Sequence, residues 1–311
     1  MWRYADVIGS FVPTKNRRHK ERYMTLIKSI SGIRGTIGGA IGDNLTPLDA
    51  VKFTASYAKW LTGKNPGRKL TVVLGRDARL SGEMVNDLVE GTLLGCGVNV
   101  INVGLCTTPG VEMAVVARKA DGGIILTASH NPKQWNALKL LNERGEFLNA
   151  AEGAMILEYA INEEFNFVEV DGLGKVLSRE PYDVEHIDAV LALPLVDVEL
   201  VKKQGFKVAV DAVDSVGGVV IPALLERMGV EVVKLYCEPT GNFSHNPEPV
   251  PENLTEICKV VKECGADLGV IVDPDVDRLA REVLPEHHEA QHQQSHVDGH
   301  HEIRTADHGE I

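Results

Sequence analysis

Three aspartates stand at alternate positions in one short segment: Asp273, Asp275 and Asp277. Carboxylates this close repel one another unless a cation neutralises them. In a loop they can converge on one Mg²⁺, a hard ion that binds oxygen ligands. An EF-hand calcium loop is disfavoured, because Arg278 takes the place of its turn glycine and Leu284 that of its last glutamate. The segment predicts a magnesium site, with a solvated acidic turn as the alternative, and Arg278 adds a fork that can bind phosphate.

A second candidate is the hydroxyl of Ser129, in the segment Thr127–Pro132 (TASHNP) that follows the apolar run Gly122–Leu126. This hydroxyl can act as a nucleophile, cap a helix or belong to a plain turn. A serine hydrolase is disfavoured, because the G-x-S-x-G elbow is absent and His130, adjacent in the chain, is poorly placed as a base. The residues alone leave the three roles open.

Basic side chains form the third set: Arg34 in SGIRG, Arg76 and Arg79 in GRDAR, and Lys139 in NALK. In a chain with a formal net charge of −12, basic groups in such segments suggest anion binding, although surface ion pairs explain each one equally well. The Walker loop and the G-x-G-x-x-G fingerprint are absent, so a nucleotide site lacks its signature. The acidic balance also argues against a nucleic-acid partner.

Apolar runs and helical patterns alternate between these motifs. Strands are predicted at 70–74, 98–103, 122–126, 207–210, 231–235 and 268–272, with a further apolar run at 138–141. Helices are predicted at 82–94, 109–118, 217–228 and 253–264, with Ser81 available to cap the first. The alternation predicts an α/β fold of two successive domains, each a mostly parallel, mixed sheet covered by helices on both faces. Ser129 and Asp273 then fall at carboxyl ends of strands, where such sheets bind ligands.

The two ends differ from the middle in composition. Residues 1–23 contain a basic run and precede a fresh Met24, so we interpret them as an extension from a different start site rather than as a nucleic-acid tail. Residues 281–311 hold seven of the eleven histidines and few apolar residues, which predicts a disordered tail. The tail contains HEAQH, which fits the H-E-x-x-H zinc pattern but lacks an apolar helix face. Weak, adventitious metal binding is therefore favoured over a protease.

Other features exclude whole classes of protein. The five cysteines are odd in number and show no C-x-x-C spacing, so neither a disulfide framework nor a zinc knuckle is indicated. A run of 18 apolar residues, which a spanning helix would require, is absent. Asp6 interrupts the first apolar stretch, which disfavours a signal peptide. These features predict a cytoplasmic chain with no membrane partner.

Taken in order, five motifs resemble the first two domains of the α-D-phosphohexomutase family, which includes phosphoglucomutase, phosphomannomutase and phosphoglucosamine mutase. They are SGIRG, GRDAR, TASHNP, NALK and DPDVDR, and they extend from Met24 to about Ala280. The resemblance implies one domain at 24–165 with a phosphoserine loop and another at 186–280 with a metal loop. A linker at 166–185 joins the two domains. The extension at 1–23 precedes them, and the tail at 281–311 follows them.

The resemblance also implies roles for individual residues. Ser129 would carry the transferred phosphate, and the implied ligands of Mg²⁺ are Ser129, Asp273, Asp275 and Asp277. The implied catalytic residues beside Ser129 are His130, Lys139 and Arg34, with Lys139 or Arg34 assisting proton transfer. The implied phosphate-binding residues are Arg278 and Arg76.

The implied reaction moves a phosphate between the 1 and 6 positions of a hexose phosphate. Phosphoserine would donate to a free sugar hydroxyl, and the bisphosphate would turn end for end before returning its other phosphate to Ser129. Mg²⁺, phosphoserine and a hexose 1,6-bisphosphate activator are the implied cofactors, and a sugar phosphate is the implied partner. The motif SGIRG favours phosphoglucosamine mutase, with phosphomannomutase or phosphoglucomutase as the alternative.

Two departures from the family pattern bear on activity. Pro274 separates the first two aspartates, where the family usually has G-D-x-D. The third-domain motif G-E-x-S-G-H and the fourth-domain motif R-x-S-G-T-E are absent from the chain. We therefore expect a truncation or a change of reading frame near Ala280 and little mutase turnover. A catalytically inactive two-domain fragment is the alternative function.

Overall fold

The computed structural model describes residues 24–29 and 32–283, which form two α/β units. The interpretations of residues 1–23 and of the histidine-rich segment from residue 284 onward, including HEAQH, lie outside the described residues.

The first unit is built on a mixed sheet of seven strands. They are β1 (Ile27–Ser29), β2 (Gly32–Thr36), β3 (Thr71–Arg76), β4 (Asn99–Leu105), β5 (Gly122–Leu126), β6 (Trp135–Leu141) and β7 (Val176–Ser178). Their order across the sheet is β1-β2-β6-β5-β3-β4-β7. The pairs among β5, β3, β4 and β7 are parallel, whereas those from β5 through β6 and β2 to β1 are antiparallel. Strands β5 and β6 are antiparallel because the segment between them is too short for a crossover.

Helices cover both faces of this sheet: α1 (Pro47–Lys64), α2 (Gly82–Gly95), α3 (Thr108–Ala117) and α4 (Ala150–Asn162). Strand β3 shows how the two faces are filled, because Val72 and Leu74 belong to one apolar cluster and Val73 to the other. Helix α1 begins at a capping box, in which Thr46 and Asp49 bond each other's backbone N–H. The predicted α/β class is confirmed, and α1 and α4 add two helices that the sequence reading did not identify.

The second unit contains α5 (Asp183–Leu191), α6 (Val198–Gln204), β8 (Lys207–Asp211), α7 (Gly217–Arg227), β9 (Glu231–Leu235), α8 (Thr255–Cys264), β10 (Leu268–Val272) and β11 (Leu279–Val283). Its sheet has the order β11-β10-β8-β9. Strands β8, β9 and β10 are parallel, and β11 runs antiparallel to β10. Two apolar clusters fill its two faces, so this unit repeats the layered arrangement of the first.

Two element boundaries and one helix cap differ from the sequence-based expectations. Strand β7 lies inside the predicted linker 166–185 and forms an edge of the first sheet by pairing with β4. Residues 281–283, assigned to the tail, extend β11, because their backbone pairs with β10. Ser81 makes no capping bond to α2; its Oγ accepts a hydrogen bond from Asn136 Nδ2 over 2.9 Å.

The described residues can also be compared with the membrane-spanning and disulfide-bonded classes that the sequence disfavours. None of their helices combines the length and the apolar character that crossing a membrane requires. All five cysteines lie within the described ranges, and none of them forms a disulfide there.

Candidate active site

Polar loops from the two units meet at the carboxyl ends of β5 and β10, as parallel strands in layered sheets favour. They enclose a cavity of about 170 Å³. Its lining residues are Gly32, Arg34, Thr127, Ala128, Ser129, His130, Ala137, Lys139, Asp277 and Arg278. The structure therefore brings together six of the residues singled out from sequence: Arg34, Ser129, His130, Lys139, Asp277 and Arg278.

At Gly32, which lines the cavity, strands β2 and β6 approach each other closely. This residue has φ +123°, and a Cβ built there would lie 2.4 Å from Leu138 O. Any larger residue would push β2 away from β6. Glycine therefore keeps β2 against β6, so that Arg34 on β2 and Lys139 on β6 line the same small space.

Ser129 faces the metal loop directly. Its Oγ donates a hydrogen bond to Asp273 Oδ2 over 2.7 Å, and Asp277 Oδ1 lies 3.5 Å away. Its backbone has φ +49°, in the left-handed region that non-glycine residues seldom adopt. A strained residue that presents a hydroxyl to buried carboxylates is typical of a functional site.

The three aspartates converge as the sequence predicted. Ligand oxygens of Asp273, Asp275 and Asp277 lie within 4.8 Å of one another, and Asp273 and Asp275 are buried. Burial raises the pKa of Asp273, and the two neighbouring carboxylates raise it further. Burial also opposes the charge of Asp275, but Lys139 and Thr108 outweigh that effect and lower its pKa.

The triad fits a hard divalent cation. Asp275 Oδ1 is buried without a hydrogen-bond partner among the described residues, so it has a lone pair to offer. Oxygen donors converging from one loop are the ligand set that Mg²⁺ takes. The residues that would hold Mg²⁺ are Asp273, Asp275 and Asp277, with Ser129 facing them.

Pro274 is compatible with this loop. Its carbonyl accepts a hydrogen bond from Ser215 Oγ over 2.7 Å, and the loop closes through Val276 N and Asp273 O over 3.1 Å. Arg278 N donates to Asp273 Oδ1 over 3.1 Å. Because the proline lacks only an N–H that this turn does not use, the departure from G-D-x-D leaves the triad intact.

Lys139 lies between two of the carboxylates. Its Nζ donates to Asp275 Oδ2 over 2.9 Å and to Asp277 Oδ2 over 3.1 Å. Burial opposes the charge of this lysine, but Asp275 and Asp277 outweigh it and raise its pKa. Lys139 is therefore positively charged in this arrangement and partly neutralises the triad.

Unsatisfied polar atoms concentrate at this site. Buried side-chain nitrogen or oxygen atoms of Arg34, His130, Asn131 and Asp275 lack a hydrogen-bond partner among the described residues. Burial lowers the pKa of His130, and the charge of Arg278 lowers it further. Buried groups are usually paired, so this cluster indicates that a polar ligand completes the site.

Two predicted arginines differ in their placement. Arg278 lines the cavity with a side chain that is 47% exposed, and Glu248 is 3.7 Å from its guanidinium. Arg76 is not among the lining residues: it lies beside α2, 3.4 Å from Glu83, in a separate depression shared with Arg179. The structure thus does not bring Arg76 to Ser129.

The sequence analysis missed Thr108 and grouped Arg79 with the candidate anion-binding residues, whereas Arg79 pairs with Asp77. Thr108 Oγ1 donates to Asp275 Oδ2 over 2.6 Å, and Thr108 N donates to Asp275 O over 2.8 Å. Arg79 is buried beneath the Ser129 loop. A usable signal for Thr108 was its position, since it follows β4 at a carboxyl end.

Two family models match the chain. Residues 26–167 match phosphoglucomutase/phosphomannomutase, alpha/beta/alpha domain I, and residues 184–281 match domain II of the same family. The chain belongs to the phosphoglucomutase/phosphomannomutase family. This membership confirms the resemblance carried by the five motifs, and both family domains contribute to the cavity.

Individual relatives of this family agree. A phosphoglucomutase/phosphomannomutase of Thermococcus kodakarensis is 38% identical over 247 residues, which are 78% of this chain and 53% of the relative. A phosphoglucosamine/phosphogalactosamine mutase of Sulfurisphaera tokodaii is 32% identical over 248 residues, 78% of this chain and 53% of the relative. The crystal structure of a family protein from Burkholderia thailandensis matches with a TM-score of 0.67 and 26% identity, covering 84% of this chain and 54% of that one. The chain thus spans about half the length of these relatives.

Proposed function

We propose that this chain transfers a phosphoryl group between Ser129 and a hydroxyl of a hexose phosphate. The observation that carries the proposal is the 2.7 Å contact of Ser129 Oγ with Asp273, inside a triad of carboxylates that fits Mg²⁺. Family membership and the cluster of unpaired polar atoms support it.

The charged and polar side chains of the cavity divide this chemistry among them. Bound Mg²⁺ would supply positive charge that neutralises the oxygens of the transferred phosphate. Arg278, Arg34 and His130 line the same space and offer donors to those oxygens. In the transfer, the bond from phosphorus to Ser129 Oγ breaks while the bond to the sugar oxygen forms. The sugar hydroxyl gives up a proton, which an oxygen of the transferred phosphate can accept, and Ser129 Oγ takes one up. We assign assistance of this proton transfer to Lys139 or Arg34, which both border the cavity and, as cations, donate to the leaving Ser129 Oγ.

For the sugar, we infer phosphoglucosamine, with phosphomannose or phosphoglucose as the alternative. The motif SGIRG and the relative named for phosphoglucosamine support the first choice. The relative named phosphoglucomutase/phosphomannomutase supports the alternative. Isomerisation assays with glucosamine 6-phosphate, mannose 1-phosphate and glucose 1-phosphate in parallel distinguish them by their kcat/KM values.

The test of the central step is phosphate incorporation. Incubation of the chain with Mg²⁺ and glucose 1,6-bisphosphate, the activator class that the proposal implies, should place one phosphate on Ser129, as read by mass spectrometry. Ser129→Ala should abolish the incorporation, whereas Ser178→Ala, on β7, should incorporate phosphate like the parent chain. Incorporation that persists in Ser129→Ala contradicts the proposal. Incorporation without isomerisation would assign to this chain the phosphoserine half of the reaction.

A further inference from the structure

A buried ion pair lies beneath the loop that carries Ser129. Asp77 and Arg79 are almost inaccessible to solvent, and Arg79 Nε donates to Asp77 Oδ2 over 2.9 Å. Neither side chain lines the cavity. Withdrawing two charges from water costs several kcal/mol per ion, so the pair must be offset by good geometry and further hydrogen bonds.

The other donors of Arg79 reach backbone carbonyls of the Ser129 loop. One terminal nitrogen donates to Pro132 O over 2.9 Å and to Trp135 O over 3.0 Å, and the second donates to Ser129 O. Ser129 and Pro132 lie between β5 and β6, and Trp135 is the first residue of β6. Pro132 O also accepts a hydrogen bond from Trp135 N over 2.9 Å, so Arg79 adds to the turn that closes this loop. One guanidinium therefore binds both ends of the loop.

Asp77 supports the backbone N–H of Ser129 through the hydroxyl of Thr127. Thr127 Oγ1 donates to Asp77 Oδ2 over 2.7 Å and accepts from Ser129 N over 2.9 Å. The N–H of Ser129 is thus fixed through Thr127, and its carbonyl is fixed by Arg79. Both backbone groups of one residue depend on the buried pair.

Ser129 needs such support because of its backbone conformation. Its φ of +49° is left-handed, which costs a non-glycine residue about 1–2 kcal/mol. In this conformation the Oγ lies 2.7 Å from Asp273 Oδ2. Relaxation to a right-handed conformation would redirect the Cα–Cβ bond and move the hydroxyl away from the triad.

The segment that carries the pair also touches the metal loop. Ala78 N donates to Ser215 Oγ over 3.4 Å, and Ser215 Oγ donates to Pro274 O over 2.7 Å. The ring of Phe243 stacks on Arg79, with 5.1 Å between its centroid and the guanidinium carbon. The segment 77–79 therefore fixes the serine loop and the aspartate loop relative to each other.

We propose that Asp77 and Arg79 are positioning residues that hold Ser129 in its left-handed conformation and so aim its Oγ at the aspartate triad. The catalytic consequence rests on the proposed function of Ser129, whereas the conformational part does not. The pair touches neither phosphate nor metal ligand side chains, and it acts through the backbone of the loop.

Two variants test the pair. Arg79→Lys keeps a positive charge beside Asp77, but its three N–H donors cannot serve Asp77 and the three carbonyls at once. The double variant Asp77→Asn with Arg79→Met removes the pair without leaving a buried charge unpaired. The matched control is Arg68→Lys, just before β3, where an exposed arginine pairs with Asp121 over 2.9 Å. If Arg79→Lys does not fold, the double variant decides.

The readouts are the saturated rate and the half-saturating concentration of phosphate incorporation from glucose 1,6-bisphosphate, together with amide hydrogen exchange of residues 129–135. In folded variants we expect the rate to fall about 10- to 100-fold, because misplacement of a reacting atom is costly. The half-saturating concentration should stay within about twofold, because the pair does not bind the donor. Exchange of residues 129–135 should become faster, while Arg68→Lys behaves like the parent. An unchanged incorporation rate in folded variants overturns the proposal.

The exchange measurement separates this proposal from the proposed function. If the parent chain incorporates no phosphate, the function of Ser129 fails and exchange alone decides the positioning. Faster exchange confined to residues 129–135, with β3 and β5 protected as in the parent, supports the positioning. Parental exchange throughout overturns it.

Discussion

Lys139 occupies the position where a cation would share the carboxylates of the triad. Its Nζ lies within 3.1 Å of both Asp275 Oδ2 and Asp277 Oδ2. A divalent ion held by these aspartates must therefore share their oxygens with Lys139 or displace its ammonium group. The lysine keeps the metal-free triad from repelling itself apart, so the carboxylates can stay convergent before a metal binds.

We expect Asp275→Asn to weaken Mg²⁺ binding by about 10- to 100-fold. The substitution removes one negative charge and replaces Asp275 Oδ1, the carboxylate oxygen that has no hydrogen-bond partner among the described residues. The metal-free fold should persist, because Thr108 and Lys139 can still donate to the amide oxygen. Calorimetric titration with Mg²⁺ measures the difference. The control is Glu238→Gln, which removes an exposed carboxylate of the same unit. Equal affinities for Asp275→Asn and the parent would identify the segment as a solvated acidic turn.

Individual site residues were predictable where their types and spacing form a motif that indicates a particular chemistry. The three aspartates and Ser129 follow strands, and strand ends are readable from apolar runs. The role of Arg79 was not readable, because it depends on which carbonyls surround a buried guanidinium in the folded chain. Arg76, three residues earlier, lies beside α2, and the motif that contains both arginines does not distinguish them.

Among the elements, the loop at 241–246 between β9 and α8 reaches across to the first unit. Gly241 has φ +70°, and a Cβ there would lie 1.8 Å from Ala78 O. Lys133 Nζ donates to Asn242 Oδ1 over 2.8 Å beside it. The close approach of two backbones requires glycine at this point, and it holds the loop against the segment that carries Arg79.

We expect Gly241→Ala to destabilise the chain more than Gly205→Ala. Gly205 has φ +65° with no heavy atom within 4 Å of an added Cβ, so it measures the cost of left-handed backbone alone. That cost is about 1–2 kcal/mol, and Gly241→Ala adds the displacement of a carbonyl. Urea unfolding of both variants compares them. Equal losses would show that the 241–246 loop adapts without strain.

The same loop carries a histidine that predicts a pH dependence. His245 Nε2 lies 2.9 Å from Asp211 Oδ2. Burial opposes protonation of His245, but the Asp211 carboxylate outweighs it and raises the pKa. A raised pKa contributes stability that is complete below the unfolded value of about 6.5 and is lost as pH rises through the folded value. The free-energy difference between parent and His245→Gln should therefore be larger at about pH 5.5 than at about pH 8.5.

His186 is the internal control for that sign. Burial lowers its pKa, so its contribution is present at high pH and is lost as pH falls. The difference between parent and His186→Gln should accordingly be smaller at about pH 5.5 than at about pH 8.5. Urea unfolding at both pH values measures the free energy of unfolding of the parent, His245→Gln and His186→Gln. If both differences from the parent changed with pH in the same direction, the raised pKa of His245 could not be assigned to Asp211.

Strands with short apolar runs were the most predictable elements, and β5, β9 and β10 have the predicted bounds. Helix α1 was not found because it packs against α2 and α4 as well as the sheet, so its buried residues surround much of its circumference. Strand β7 has three residues, and edge pairing rather than apolar character places it in the sheet. Pairing partners of this kind are remote in sequence and leave no local pattern.

The molecule as a whole depends on how its two units meet. Thr108 bonds Asp275 through both its backbone and its side chain, and Ser215 bridges Ala78 and Pro274. These contacts lie mainly at the site, so the serine and the aspartates are aligned by the interface itself.

We expect the two sheets to open together in the parent chain and to separate in Ser215→Ala. In that variant, β8 and β10 should lose amide protection at a lower urea concentration than β3 and β5, because the bridge between the units is lost. Native-state hydrogen exchange resolves the two sheets, and Ser178→Ala serves as the control. Separate opening in the parent would show that the interface does not couple the units.

The placement of the indole rings has an optical consequence. Trp60 stacks on Tyr57 inside α1, with 5.8 Å between ring centroids, and Trp135 begins β6 where its carbonyl accepts from Arg79. Residues 184–281 contain no tryptophan. Once Trp2, outside the described residues, is changed to phenylalanine, the tryptophan emission of the chain comes only from the first unit. If this emission changes when Mg²⁺ or a sugar phosphate is added, Trp135 is the tryptophan that lies beside the Ser129 loop. Unfolding of the second sheet alone exposes no tryptophan of its own, because that sheet contains none.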